Sequence, residues 1–136
     1  MTDRKTEARL IAAARRARTR AYSTHKPKRI KVGAALLTAD GTIVVGCNIS
    51  NDSSTLGVCA ERVAVFSAVA QGKRRFKAIA IVGAGDSPWP PCGMCRQVLS
   101  QFDPQGKIVV IMAGRTGKPR RATLRELYPL PFRVEG

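Results

Sequence analysis

An α/β domain built on five strands is what this sequence predicts, and three observations carry it. Helix-period and strand-length apolar runs alternate along the chain in the order α-β-β-α-β-α-β-β. The connection between the last two strands, Gly114-Arg115-Thr116-Gly117, is too short for a crossover, so the final strand must return antiparallel. The chain has 136 residues with an apolar fraction of 44%, which suits one packed core and leaves little room for a second. Residues 1–136 therefore read as a single domain, with its motif-bearing core at about residues 30–132.

Each element has its own signal. Residues 2–22 read as a helix, because Leu10, Ile11, Ala14, Ala17 and Ala21 recur near helical spacing among Arg and Lys. Residues 23–31 hold Pro27, four Lys and Arg residues and the sole histidine, His25, and read as a loop whose histidine is simply solvated. Residues 32–38 and 42–48 are apolar runs of strand length joined at Ala39-Asp40-Gly41, a hairpin turn. The polar stretch 49–57 is a loop. Residues 58–71 form a helix carrying Ala60, Val63, Ala64, Phe66, Ala68 and Val69, stopped at Gly72. A buried strand spans 77–82, and a Gly/Pro loop spans 83–91. Helix 92–102 follows with Val98 and Leu99 inward, then strand 107–113. The return strand is 118–122, and Leu124-Arg125-Glu126-Leu127 makes one last helical turn before Pro129.

Composition narrows the class of protein. No apolar stretch approaches the roughly 20 residues needed to span a bilayer. Met1-Thr2-Asp3-Arg4-Lys5 enters a charged helix rather than a secretory apolar run. Four cysteines in that setting point to reduced thiols and metal instead of disulfides, and to a cytoplasmic location. The net charge is +15, from 24 basic and 9 acidic residues. The cations are scattered, and only two Tyr, four Phe and one Trp accompany them, so the charge reads as solvated surface, not a nucleic-acid groove.

Chemistry concentrates in two short stretches. Pro91-Cys92-Gly93-Met94-Cys95 supplies C-x-x-C, the spacing at which two thiolates close on one tetrahedral metal. Cys59-Ala60-Glu61, about thirty residues upstream, adds a third thiol and a carboxylate. Three protein ligands leave the fourth position of Zn²⁺ open for water, and Glu61 is placed to move that water's protons. Both clusters open predicted helices, where the dipole and free backbone N–H groups favour thiolates. Zn²⁺ with three thiolates carries a formal −1, so a cation is needed nearby. Arg62 and Arg96, adjacent in sequence to Glu61 and Cys95, are the candidates for neutralising it. The competing reading is a structural Cys₄ site that recruits Cys47. Against it, Cys47 lies in an apolar strand without knuckle spacing and is expected to be a small core residue.

These motifs are recognisable. Val32-Gly33-Ala34-Ala35-Leu36, Gly46-Cys47-Asn48, Cys59-Ala60-Glu61-Arg62, Pro91-Cys92-Gly93-Met94-Cys95-Arg96-Gln97-Val98-Leu99 and Glu126-Leu127-Tyr128-Pro129 resemble the small homotetrameric cytidine deaminases, with blasticidin S deaminases as a sister group. The resemblance implies a three-layer α/β/α fold around a five-stranded mixed sheet, and Zn²⁺ as cofactor. It implies hydrolytic loss of the 4-amino group from a cytosine-type nucleoside, as in pyrimidine salvage. By the same resemblance Cys59, Cys92 and Cys95 match the zinc ligands, and Glu61 matches the proton shuttle between water, ring N3 and departing ammonia. Ala60 matches a backbone N–H contact to the ring carbonyl. Arg62 matches a charge-neutralising arginine, and Asn48 the residue holding the ribose 3′-hydroxyl. Phe132 matches a C-terminal aromatic that covers a neighbouring subunit's pocket.

The chain departs from that pattern around the sugar. Ser50 stands where the family has a Glu that helps bind the 3′-hydroxyl. Ile30 stands in place of a ring-stacking Phe, Lys31 in place of a Pro, and Ser54 in place of a Tyr. A small cytosine nucleoside remains the expected substrate. The alternatives are a modified aminopyrimidine such as blasticidin S or an isocytosine-like compound, or a base within a polynucleotide. Polynucleotide deaminases typically use His as first ligand and an extra helix before the last strand. A non-catalytic zinc module would leave Glu61 without a role.

Overall fold

The computed structural model describes residues 2–23 and 30–134. Strand β1, Gly33–Thr38, is buried at every position, as a strand with both faces covered must be. It lies between β2 (Ile43–Cys47), paired antiparallel, and β3 (Phe76–Val82), also antiparallel. Strand β4 (Val109–Ala113) pairs parallel with β3, and β5 (Arg120–Thr123) returns antiparallel on β4. The sheet order is β2-β1-β3-β4-β5. It is a mixed five-stranded sheet with the antiparallel last strand that the short connection required.

Alternation along the strands divides the core in two. On one face Ala35, Leu37, Ala80, Val82, Ile111 and Ala113 bury against Leu10, Ala13 and Ala14 of helix α1, Arg4–Arg18. On the other, Ala34, Leu36, Ile79, Ile81, Val110 and Met112 pack against helices α2 (Ala60–Ala70), α3 (Gly93–Gln101) and α4 (Leu124–Leu127). The result is the three-layer α/β/α arrangement. Helix α1 begins where the Asp3 side chain accepts from the Thr6 N–H at 2.8 Å, and it is shorter at both ends than the apolar pattern suggested. It is tied to the far edge of the sheet by Arg121, whose guanidinium donates to Glu7 at 2.9 and 2.5 Å.

Two features of the fold differ from expectation. Segment 49–57 is not simply a loop: Ile49 bridges to both Tyr22 and Val58, and Ser54–Leu56 form a 3₁₀ turn. Cys47 is half-buried, not a core residue. It lies at the end of the edge strand, on the α1 side with Ile43 and Val45, where cover is partial, whereas Val44 and Gly46 are buried on the opposite face. His25 lies outside the described residues. No helix among them is long and apolar enough to cross a membrane.

Candidate active site

The site is assembled where α2 and α3 begin. A close approach fixes the start of α2. A Cβ on Gly46 would lie 2.4 Å from the Ala60 carbonyl oxygen and 2.5 Å from the Ala64 nitrogen, so only glycine lets the first turn rest on β2. Cys59 and Cys92 are the N-cap residues of α2 and α3, both extended in backbone and neither capping its helix through its side chain. Their thiols are therefore free to face each other. Cys95, in the first turn of α3, is buried beside them.

The sulfurs stand 3.8 Å apart for Cys59 and Cys92 and 3.4 Å apart for Cys92 and Cys95, and all three lie within 4.8 Å of one another. A tetrahedral Zn²⁺ with Zn–S near 2.3 Å separates its sulfurs by about 3.8 Å. The donor set and spacing thus fit Zn²⁺ with small adjustment. Cys47 is not in the group, which leaves the structural Cys₄ reading without its fourth ligand.

Electrostatics divides the thiols and lifts the carboxyl. The Cys59 thiol is held down at about 5 by its hydrogen bond with Cys95 and by the Arg62 guanidinium, which donates to Cys59 Sγ at 3.3 Å. Cys95 is pushed upward by the same bond to Cys59, by burial and by the Glu61 charge. Glu61 is only 3% exposed. Burial, with the Cys59 thiolate acting in the same direction, raises its carboxyl to about 7.

Arg96 does not take the place expected of it. Its Nε donates to the Pro91 carbonyl at 2.9 Å and its Nη1 to the Leu127 carbonyl at 2.8 Å. It clamps the Cys92 loop to the end of α4 and donates to none of the sulfurs.

A cavity of about 570 Å³ opens on this cluster, within the usual size for a small-molecule site. Cys59, Ala60, Glu61 and Cys92 line one end, and Ile30, Asn48, Ser50 and Ser54 line other parts of it. Ala60 is the first residue of α2, so its N–H has no intrahelical acceptor. The Asn48 amide donates to the Ile30 carbonyl at 2.8 Å and accepts from the Val32 N–H at 2.7 Å. One amide hydrogen and one lone pair remain for a ligand. Phe132 lies away from this chain's own cavity and is 70% exposed, with its carbonyl accepting from Gln97 at 3.0 Å. Trp89, which no periodicity signals, also lines the cavity.

A structural zinc site closes its fourth position with protein, whereas this one opens that side to a cavity beside an acid. That is the class of a catalytic zinc protein. Residues 4–112 match the family model described as the cytidine and deoxycytidylate deaminase zinc-binding region. A cytidine deaminase of Sporosarcina psychrophila is 43% identical over 93% of this chain and 90% of its own length. The crystal structure of cytidine deaminase from Burkholderia pseudomallei superposes with a TM-score of 0.86 at 42% identity, over 97% of this chain and all of that one. A blasticidin-S deaminase of Bacillus cereus is 34% identical over 74% of this chain and 76% of its own length. The chain belongs to the cytidine and deoxycytidylate deaminase family.

Proposed function

We propose that the protein is a zinc-dependent hydrolytic deaminase that converts the 4-amino group of a cytosine-type nucleoside, cytidine or deoxycytidine, to a carbonyl with release of ammonia. The observation that carries this reading is Glu61, a buried carboxyl two residues from Cys59 that lines the cavity beside the thiols. Cys59, Cys92 and Cys95 would hold the metal, which when bound supplies Lewis-acid activation of water near neutral pH. Glu61 accepts the proton released as water adds at C4, delivers it to ring N3, and then helps the amine leave as ammonia. One carboxyl serves as base first and acid later. Arg62, already on Cys59 Sγ, offsets the excess negative charge of three thiolates. The free N–H of Ala60 faces the ring carbonyl, and the remaining capacity of Asn48 takes a ribose hydroxyl.

The high identity to named cytidine deaminases favours an unmodified nucleoside. The blasticidin-S deaminase likeness is lower, and that antibiotic is cationic, so a surface of net charge +15 would repel it. The antiparallel β4–β5 return has no extra helix of the kind expected of polynucleotide deaminases. A homotetramer in which Phe132 covers a neighbour's pocket, a cytoplasmic location and a place in pyrimidine salvage complete the proposal.

The test is ammonia release by zinc-loaded protein from cytidine, deoxycytidine, CMP, blasticidin S and free cytosine, with Glu61→Gln as the paired variant. Turnover of cytidine or deoxycytidine should fall by at least about 10²–10⁴-fold in Glu61→Gln, while zinc content stays at the wild-type level. A variant that keeps its activity removes Glu61 from the chemistry.

A further inference from the structure

Trp89 is the sole tryptophan of the chain, and the mechanism gives it no task. Its side chain is half-buried, packed on the core beneath α2 and α3, and lines the cavity three residues before Cys92. Its place is tightly set. A Cβ on Gly83 would lie 2.3 Å from the indole Cγ and Cδ2, so the ring is seated directly on the glycine backbone. Gly83 is itself held from two sides: its N–H donates to the Ala113 carbonyl at 3.0 Å, and its carbonyl accepts from Arg18 Nε at 3.1 Å. Pro90 and Pro91 then follow. They restrict the backbone from Trp89 up to the metal ligand, leaving few ways for the indole to move relative to the thiols.

Among the described residues of this chain, the rest of the cavity wall lacks a flat surface. Its other apolar walls are aliphatic, chiefly Ile30, Val32, Ile49 and Val58, and its polar side is Asn48, Ser50, Asn51 and Ser54. Among the described residues no other aromatic side chain lines it. A planar heteroaromatic ring gains most from a π-face. We propose that Trp89 is the stacking wall of the ring site and the residue that sets the preference for a planar pyrimidine. This rests on reading the cavity as a nucleoside site. It also predicts that the substrate's ring, more than its sugar, dominates affinity.

The sole tryptophan makes the test direct. Zinc-loaded wild-type protein is titrated with uridine, the unreactive product, while indole emission is followed and binding is measured independently by equilibrium dialysis. Bound uridine should quench or shift the emission. Trp89→Phe should keep the uridine Kd and the cytidine KM within about threefold. Trp89→Leu, which keeps bulk but no π-face, should weaken both about tenfold with kcat and zinc content little changed. Uridine that binds by dialysis without altering the emission overturns the wall, as does a Leu variant that binds as well as the Phe variant. The wild-type titration decides the matter even if a variant fails to fold. Absence of both nucleoside binding and ammonia release removes the parent reading, and this one with it.

Discussion

Cys92→Ala separates the metal's contribution to stability from that of packing. Cys92 is exposed, and its side chain makes no capping hydrogen bond to α3. Its loss should therefore cost the metal-free protein no more than about 0.5 kcal/mol, as for other surface substitutions. The metal contribution is larger, because it binds only the folded arrangement that brings the starts of α2 and α3 together. At free zinc a hundredfold above Kd, binding to the native state adds about 2.7 kcal/mol. For 136 residues the unfolding entropy is about 290 cal/mol/K, so the melting temperature should rise about 9 °C. The assay is thermal unfolding at fixed protein concentration, in chelator and in buffered zinc, for both proteins. In chelator the two should melt within about 2 °C of each other, and only the wild type should gain in zinc. An equal gain in Cys92→Ala would mean the metal is held elsewhere. A large deficit in chelator would mean that the thiol matters to the apo fold and that the exposed-thiol reasoning is wrong.

Three further outcomes follow from the geometry. Gly46→Ala would drive a Cβ into the Ala60 carbonyl and should cost about 1–3 kcal/mol in urea unfolding, as overpacking does; an unchanged midpoint would mean α2 can lift freely from β2. Arg96→Gln should destabilise by about 1–3 kcal/mol through its lost bonds to Pro91 and Leu127, while zinc affinity stays near wild type; a large fall in affinity would return Arg96 to the sulfurs. Ser50→Glu, which adds a charged acceptor to the cavity wall, should lower the KM for cytidine about tenfold with kcat little altered, and no change in KM would take Ser50 out of the sugar's reach.

The sequence made the strand and helix order legible because each element carries its own period, and the return of β5 legible because its connection admits no crossover. The metal cluster was legible from C-x-x-C read together with Cys59-Ala60-Glu61, since C-x-x-C by itself also fits redox chemistry. What adjacency cannot supply is direction. Arg62 sits one turn beyond Cys59 and so returns to the same side of α2, where it reaches the sulfur. Arg96 follows Cys95 directly and is turned about 100° around α3, toward Pro91 and α4. Cys47 looked like core because its strand is apolar, but β2 is an edge strand and α1 covers its side of that strand only in part. Phe66 stands 51% exposed on α2 although the apolar pattern includes it. Trp89 lies in a loop without periodicity, so only the fold could bring it to the cavity.

The ion pair between Glu7 and Arg121 joins residues 114 positions apart, and the face that α1 buries is completed only by β3 and β4. During synthesis α1 emerges before β3 and β4. At about 5–20 residues per second, roughly ten seconds separate the appearance of Leu10 from that of Ile111. Until β3 follows, Leu10, Ala13 and Ala14 can be covered only by β1 and β2, and until β4 follows that face stays incomplete. The nascent chain thus presents a basic amphipathic helix of 15 residues whose apolar stripe stays open to chaperones and to aggregation until the sheet closes.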